Sequence, residues 1–453
     1  MRIWGIFLWI GVLSAQTPAI QPILDQALKD SGAASVSVAV VSGGKVVFAG
    51  ASGKADIAAN RAAGLDTRYA IGSVSKQFTA AAILLMVEQR KLSLDDKVSK
   101  FFPDLTRASD ITIRELLSHT SGYEDYAPQD YTIPEWLKPT TSQAILDKWA
   151  KKPLDFDPGT KWQYSNTNFV LAAEIFEKVS GQPLVPFLKS NIFDPLGMTS
   201  AGSCESLGPN DATPYTRYAL GPPRQVAREA PGWYHGAGEL CMTPSDLAKW
   251  DIAFLEKKIL SAQSYAQFTT EVKLANGDLT NYALGLQVGS YRGMPSISHG
   301  GEVSGFLAQN TMYPTRQGAV IVLSNEDAVS MVGPLSQKIA TLVFLPPERQ
   351  LAESELDAQT VRSILEGIVQ GRIDRALFTS NANSYFTAAV LMDYKTSLAG
   401  LGALQSVTRT NAVLRGGMTY RSYRAQFAQK AVTISTYMTP GGLFEQFLVV
   451  DQL

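Results

Sequence analysis

Residues 71–91 read IGSVSKQFTAAAILLMVEQRK, and this stretch organises the rest of the chain. Phe78, Ala81, Ala82, Leu85 and Met86 recur at the spacing of one helical face, with few breakers before Lys91, so a helix is expected from Ser73. Three residues along a helix turn by about 300° and rise about 4.5 Å, which puts Ser73 and Lys76 on one side. The N–H groups of a first helical turn are free and the dipole there favours negative charge, an arrangement suited to an oxyanion forming beside Ser73. An unprotonated Lys76 would accept the Ser73 proton, provided that burial or nearby cations depress its pKa. Taken alone, the Ser-x-x-Lys spacing fits a capping serine beside a surface lysine better than it fits a catalytic pair.

The same spacing occurs at Ser42/Lys45, where the two middle residues are Gly43-Gly44. There the alternation of Ser35 to Val41 and the apolar run Lys45 to Ala49 predict two strands joined by a tight turn, so this pair flanks a hairpin. A second helical pattern covers Phe169 to Val179, and 128–158, rich in Pro, Asp, Trp and Tyr, reads as an irregular, partly helical insertion. Strands are expected at Tyr282 to Val288, Ile297 to His299, Phe306 to Tyr313 and Ala319 to Ser324, followed by a helix from Pro334 to Phe344. A hairpin first, helices in the middle and strands at the end predict an α/β (α+β) architecture. Its antiparallel sheet is joined from both ends of the chain and flanked by helices, beside an all-helical half.

With 453 residues, two or three domains are expected. Forty Lys and Arg against 41 Asp and Glu leave a net charge of −1, which supplies no basic footprint for nucleic acid. Met1-Arg2, the apolar run Ile3 to Leu13 and the small residues Ser14-Ala15 read as a signal peptide over residues 1–15, which places the product in the periplasm or outside the cell. No later run is long and apolar enough to span a bilayer. In an oxidising compartment Cys204 and Cys241 either bond or remain two ordinary thiols. Pro346-Pro347 is the clearest boundary and separates a unit at 20–345 from a small α+β module at 351–453. In that module Val361, Ile364, Leu365, Ile368 and Val369 lie on one helical face. Strand-like runs close it at Tyr420 to Phe427, Val432 to Tyr437 and Phe444 to Val450, with Gly441-Gly442 as a turn.

Two further signals carry chemistry. Tyr164-Ser165-Asn166 lies where a loop enters a helix; a phenol can shuttle protons and an amide can bind a substrate peptide group. His299-Gly300-Gly301 ends a strand-like run, where glycines let a substrate backbone lie along the sheet edge, and the N–H of Glu302 can complete an oxyanion hole with that of Ser73. His119 reads as a structural hydrogen-bonding residue, and His235 as either cleft lining or packing. A Gly-x-Ser-x-Gly elbow and a His-Glu-x-x-His pair are both absent, so an α/β-hydrolase triad and a zinc hydrolase are disfavoured.

The ordered set Ser73-Val74-Ser75-Lys76, Tyr164-Ser165-Asn166 and His299-Gly300-Gly301 resembles the three motifs of the penicillin-recognising serine hydrolases. The branch is that of class C β-lactamases, D-alanyl-D-alanine carboxypeptidases, D-aminopeptidases and β-lactamase-like esterases. Leu116 to Gly122, Phe156 to Thr160, Gly236-Ala237-Gly238 and Met242 to Leu247 add secondary resemblances. The resemblance implies a β-lactamase/transpeptidase-like fold and a Ser73 acyl-enzyme, with Lys76 and Tyr164 sharing acid and base work. Asn166 would hold the substrate amide, His299 and Gly301 would line the opposite wall, and neither metal nor cofactor would be required. The substrate would be a small molecule or peptide, namely a D-amino-acid peptide, a small ester or a β-lactam; a penicillin-binding sensor that is acylated without turnover is the alternative. β-Lactamases of this branch carry lysine where this chain has His299, and a neutral histidine would not attract a substrate carboxylate, so peptides and esters gain weight over β-lactams. The tail resembles cystatin or nuclear-transport-factor-like modules in element order, and the oligomeric state is left open.

Overall fold

The computed structural model describes residues 20–451, apart from 130, 220, 346, 416–417 and 440–441. The signal-peptide stretch 1–15 and Gly441 therefore lie outside the described residues. The chain divides between Phe344 and Leu345 into two compact units.

The first unit opens with helix α1 (Ile20–Ser31) and the hairpin β1 (Ser35–Ser42) and β2 (Lys45–Asp56). Gly43 and Gly44 turn it with φ of +58° and +72°, values that a two-residue hairpin needs and side-chain-bearing residues resist. Ser42 and Lys45 face each other across that turn, so this pair flanks the hairpin as its spacing around two glycines implies. After the short β3 (Arg61–Ala62), the sheet receives its other strands from the far end of the unit: β4 (Gln287–Tyr291), β5 (Met294–Val303), β6 (Phe306–Tyr313) and β7 (Gly318–Ser324). The order is β3-β2-β1-β7-β6-β5-β4, antiparallel throughout, and β1 pairs with β7 through Val36↔Ser324 to Val41↔Ala319. The sheet is thus closed from both ends of the chain.

Every residue of β7 is buried, as expected for a central strand covered on both faces. Helix α5 (Val332–Phe344) packs on β6 and β7 and α1 on β2, while α4 (Pro244–Leu255) packs on β1 and β7. The side chains of Ala39, Val41, Ile321 and Leu323 join one apolar cluster with the helical half, in which α2 (Lys76–Glu88) and α3 (Asn166–Ser180) are central.

Two expectations are corrected. Gly72–Ser75 form a 3₁₀ turn and the α-helix begins at Lys76. Moreover α2 is buried nearly all round, including Ala80, Ile83 and Leu84, because it lies between the sheet half and the helical half. The strand predicted from Tyr282 begins only at Gln287. Ala283 N donates to Leu286 O across a turn at Gly285, where a side chain would meet Lys76 O at 2.9 Å, so this segment folds back onto the start of α2. Cys204 and Cys241 are free thiols.

In the second unit Pro347 opens a helix rather than only ending one: α6 (Pro347–Val369) is followed by α7 (Ser380–Tyr385), α8 (Ala388–Ala399) and a four-stranded antiparallel sheet. Its strands β8 (Leu404–Arg415), β9 (Met418–Phe427), β10 (Ala431–Met438) and β11 (Phe444–Asp451) pair in chain order. Val361, Ile364, Leu365 and Ile368 of α6 are buried with Phe378, Tyr423, Phe427 and Ile434, a separate core. Among the described residues, no helix is long and apolar enough to cross a membrane.

Asp251, fully buried on α4, accepts a 2.9 Å hydrogen bond from Asn310 Nδ2 of β6, but its Oδ2 has no partner. Burial pushes its pKa up to about 8, the Asn310 bond opposing, so the folded chain holds a proton that the unfolded chain has released. Between about pH 4 and pH 8 folding therefore takes up a proton, and stability falls as pH rises, by up to about 1.4 kcal/mol per unit. Asp251→Asn is expected to shrink the difference in urea midpoint between pH 5 and pH 8; an unchanged difference would assign the pH dependence elsewhere.

Candidate active site

Ser73 stands in the 3₁₀ turn at the entrance to α2, pressed against β5 by two residues without side chains. A Cβ on Gly72, where φ is +50°, would come 2.7 Å from Glu302 N, and one on Gly301 would come 2.0 Å from Ile71 O. Neither position tolerates a methyl group without moving backbone. The glycines therefore bring the Ser73 turn to the edge of β5 beside Glu302, the pairing that an oxyanion hole built from the Ser73 and Glu302 N–H groups requires. Strand β5 pairs with β4 only as far as Ser298, which leaves the half from His299 to Val303 with an edge towards the cleft.

Lys76 is fully buried. Its Nζ donates to Ser73 Oγ at 3.0 Å, Asn166 Oδ1 at 2.8 Å and the Ala237 carbonyl at 2.8 Å, which uses all three of its protons. Burial lowers its pKa to about 7, against the pull of Asp125 in the other direction. A shift of that size corresponds to about 5 kcal/mol, so loss of water outweighs the nearby carboxylate. Tyr164 donates its hydroxyl to Ser73 Oγ at 2.7 Å from the other side, and burial raises its pKa, which keeps it a phenol. Ser73 Oγ thus lies between an amine that is part neutral near pH 7 and a phenol that is not ionised.

Asn166, at the start of α3, joins this pair to a residue that sequence reasoning missed. Its Oδ1 faces Lys76, while its Nδ2 and backbone N donate to Asp125 Oδ1 at 3.2 and 2.9 Å. Asp125 sits in a loop with no motif of its own, and only a contact map could have singled it out. Ala237, in the glycine-flanked segment before α4, acts through its carbonyl, and the Gly236 carbonyl accepts from Thr79 Oγ1 at 2.7 Å.

His299 is buried on β5, across from Asn310. Nδ1 lies 2.5 Å from the Gly300 carbonyl, which can only accept, and Nε2 lies 2.8 Å from the Tyr282 hydroxyl. A neutral ring satisfies both contacts: N–H on Nδ1 and a lone pair on Nε2. Burial and the Lys76 charge hold its pKa down to about 3. His299 therefore lines the cleft without bringing a positive charge.

His119 is also buried, with a φ of +60°; its Nδ1 accepts from Ser165 N at 3.2 Å and its ring lies 4.3 Å from that of Tyr164. It supports the tyrosine loop from behind. His235 is not among the cleft-lining residues and faces an adjoining cavity instead.

The cleft beside Ser73 has a volume of about 860 Å³. Trp136, Trp162 and Tyr234 supply apolar wall. Asp125, Glu229, Glu302 and Asp327 also line it, and among the described residues no lysine or arginine does.

A family model described as Beta-lactamase matches residues 20–335. The putative penicillin-binding protein PbpX of Bacillus subtilis is 30% identical over 61% of this chain and 67% of its own length. A D-aminopeptidase of Brucella anthropi is 29% identical over 60% of this chain, a match spanning about half (52%) of that enzyme. Among solved structures, the D-amino acid amidase of Ochrobactrum anthropi, crystallised with L-phenylalanine amide, superposes with a TM-score of 0.65 at 25% identity, covering 73% of this chain and 97% of that one.

If the two glycines set the oxyanion geometry, Gly301→Ala should leave the folded chain intact by circular dichroism and lower kcat by about 10²–10³-fold on any substrate the parent turns over. Full activity in Gly301→Ala would remove Glu302 N–H from the site.

Proposed function

The chain belongs to the beta-lactamase family, and on that basis we propose that it is an exported serine hydrolase acting on amides or esters of D-amino acids whose amino group is free. The charge of the cleft carries this reading. An acyl group with a free ammonium meets carboxylates at Asp125, Glu229, Glu302 and Asp327, whereas the carboxylate of a β-lactam meets no lysine or arginine among the described lining residues and a neutral His299. The D-aminopeptidase and D-amino acid amidase among the similar proteins support the same substrate class. The aromatic wall suits an apolar side chain on that substrate.

In this mechanism neutral Lys76 takes the Ser73 proton as Oγ attacks the substrate carbonyl, and Asp125 favours the ammonium that results. The oxyanion is received by the N–H groups of Ser73 and Glu302. Collapse breaks the bond to the leaving amine or alcohol, which takes its proton through Tyr164, replenished from Lys76. Water then adds to the acyl-enzyme by the same route in reverse, releasing the acid and the free serine. The phenol of Tyr164 stays protonated at neutral pH, which favours Lys76 over Tyr164 as the first base in this reading.

Only unprotonated Lys76 is active in the first step, so kcat/KM should rise with pH through about 7, and Lys76→Arg should lose about 10²–10⁴-fold. A flat profile from pH 5 to 8 would count against lysine as the base. Substrate class is tested with D-alanyl anilide, its N-acetyl derivative, a short p-nitrophenyl ester and a chromogenic cephalosporin, following product and intact mass. D-Alanyl anilide should be turned over faster than its acetylated form and faster than the cephalosporin, and Ser73→Ala should be inactive on all four. Preference for the acetylated or carboxylate-bearing substrate would refute the charge argument, and a lasting mass adduct without product would identify a sensor instead.

A further inference from the structure

On α3, about two and three turns beyond Asn166, which lines the cleft, Glu174 and Glu177 are three residues apart and lie on one helix face. His235 reaches them from the segment that leads into Ala237. Its Nε2 lies 3.8 Å from Glu174 Oε1 and 3.4 Å from Glu177 Oε1, is shut off from solvent, and makes no hydrogen bond to either. The opposite ring nitrogen, Nδ1, lies 3.4 Å from Glu239 Oε1, an oxygen fixed by the Gly236 N–H at 2.8 Å. A carboxylate behind an imidazole holds the proton on the near nitrogen and turns the lone pair of the far one outward, as in metal-bound histidines. In that tautomer the lone pair meets two carboxylate oxygens, which also carry only lone pairs; without a metal, and against burial, Glu239, Glu177 and Glu174 hold a proton on the ring and raise its pKa to about 9. Two carboxylates and an imidazole nitrogen converging on one point suit a cation between them, either that proton or a metal ion in its place.

We propose that Glu174, Glu177 and His235 bind a divalent transition-metal ion, zinc by the character of the donors, at a site separate from the reacting serine. The three donor atoms all lie within 4.8 Å of one another. Zinc bonds of about 2.0–2.2 Å in a tetrahedron set donor separations of about 3.3–3.6 Å, so the site closes with side-chain adjustments of about 1 Å. Imidazole with two carboxylates is a donor set suited to zinc. Glu177 Oε1 also accepts from Leu184 N at 2.8 Å, which steadies it, and retains a second lone pair. A cavity of about 580 Å³ opens beside Glu174 and His235, giving an entry path and room for a water as fourth ligand. Arg228 lines the same cavity, but its guanidinium is held on the Cys204 carbonyl at 2.6 Å.

The ion would join α3, which begins at Asn166, to the segment whose Ala237 carbonyl holds Lys76 Nζ. It is a clamp behind the site and takes no part in the reaction. The test is calorimetric titration of the full chain, stripped with a chelator, with zinc chloride, alongside the visible spectrum of the cobalt(II) form. One equivalent of zinc should bind, cobalt should give a four-coordinate spectrum, and the thermal midpoint should rise with zinc. Glu239→Gln, which loosens the ring without removing a ligand, should weaken binding about 10–100-fold. Glu174→Gln, at a partly exposed position that leaves the fold intact by circular dichroism, should abolish one-to-one binding, as should His235→Gln. The proposal is overturned if the parent takes up no zinc, which would mean that a proton alone occupies the position, or if uptake survives in both Glu174→Gln and His235→Gln.

Discussion

The burial of the Lys76 amine is the constraint on which the rest of the catalytic unit depends. An ammonium taken out of water needs an acceptor for each proton, and these come from three separate places in the chain: the 3₁₀ turn, the start of α3 and the segment before α4. Those elements must therefore meet at one point. The incomplete compensation is as important as the contacts themselves. With more charge nearby the amine would stay protonated and could not accept from Ser73; with fewer acceptors it would not remain buried. Asp125 lies at the outer end of this chain of contacts, bonded to Asn166 and only electrostatically coupled to the lysine.

Local features of the fold were legible because they are written in short-range terms. The Gly43-Gly44 hairpin, the strands Phe306–Tyr313 and Gly318–Ser324 and the buried stripe of α6 each follow from alternation, turn chemistry or helical spacing. The strand start at Tyr282 was misread because a tertiary contact decides it: Gly285 folds against the Lys76 backbone, and alternation carries no trace of that. The one-faced reading of α2 failed for a related reason, since a helix enclosed by two layers has no solvent side to mark.

At the site, Ser73, Lys76, Tyr164 and Asn166 were identifiable by type and spacing, and the structure brings them within hydrogen-bonding distance of one another. What spacing could not supply was protonation. The sequence reads His299 as neutral from its ordinary pKa alone; burial and its partners Gly300 and Tyr282 are what hold it in that form. Asp125 and the Ala237 carbonyl were invisible because an acidic loop residue and a backbone oxygen have no signature until something approaches them. The cluster around His235 escaped notice on similar grounds, its members coming from one helix and a distant turn.

The sheet of the catalytic unit has a consequence for how the chain is made. Ser35 and Ser324 are hydrogen-bonded neighbours in the finished molecule and 289 residues apart in sequence. At roughly 5–20 residues per second, a ribosome needs roughly 15–60 s to deliver the strand that β1 awaits. During that interval the Val-rich hairpin has one long edge open to any other strand. The central strand pair is thus the last part of the sheet that can form, and a nascent chain of this protein is most exposed to wrong partners at its most apolar segment.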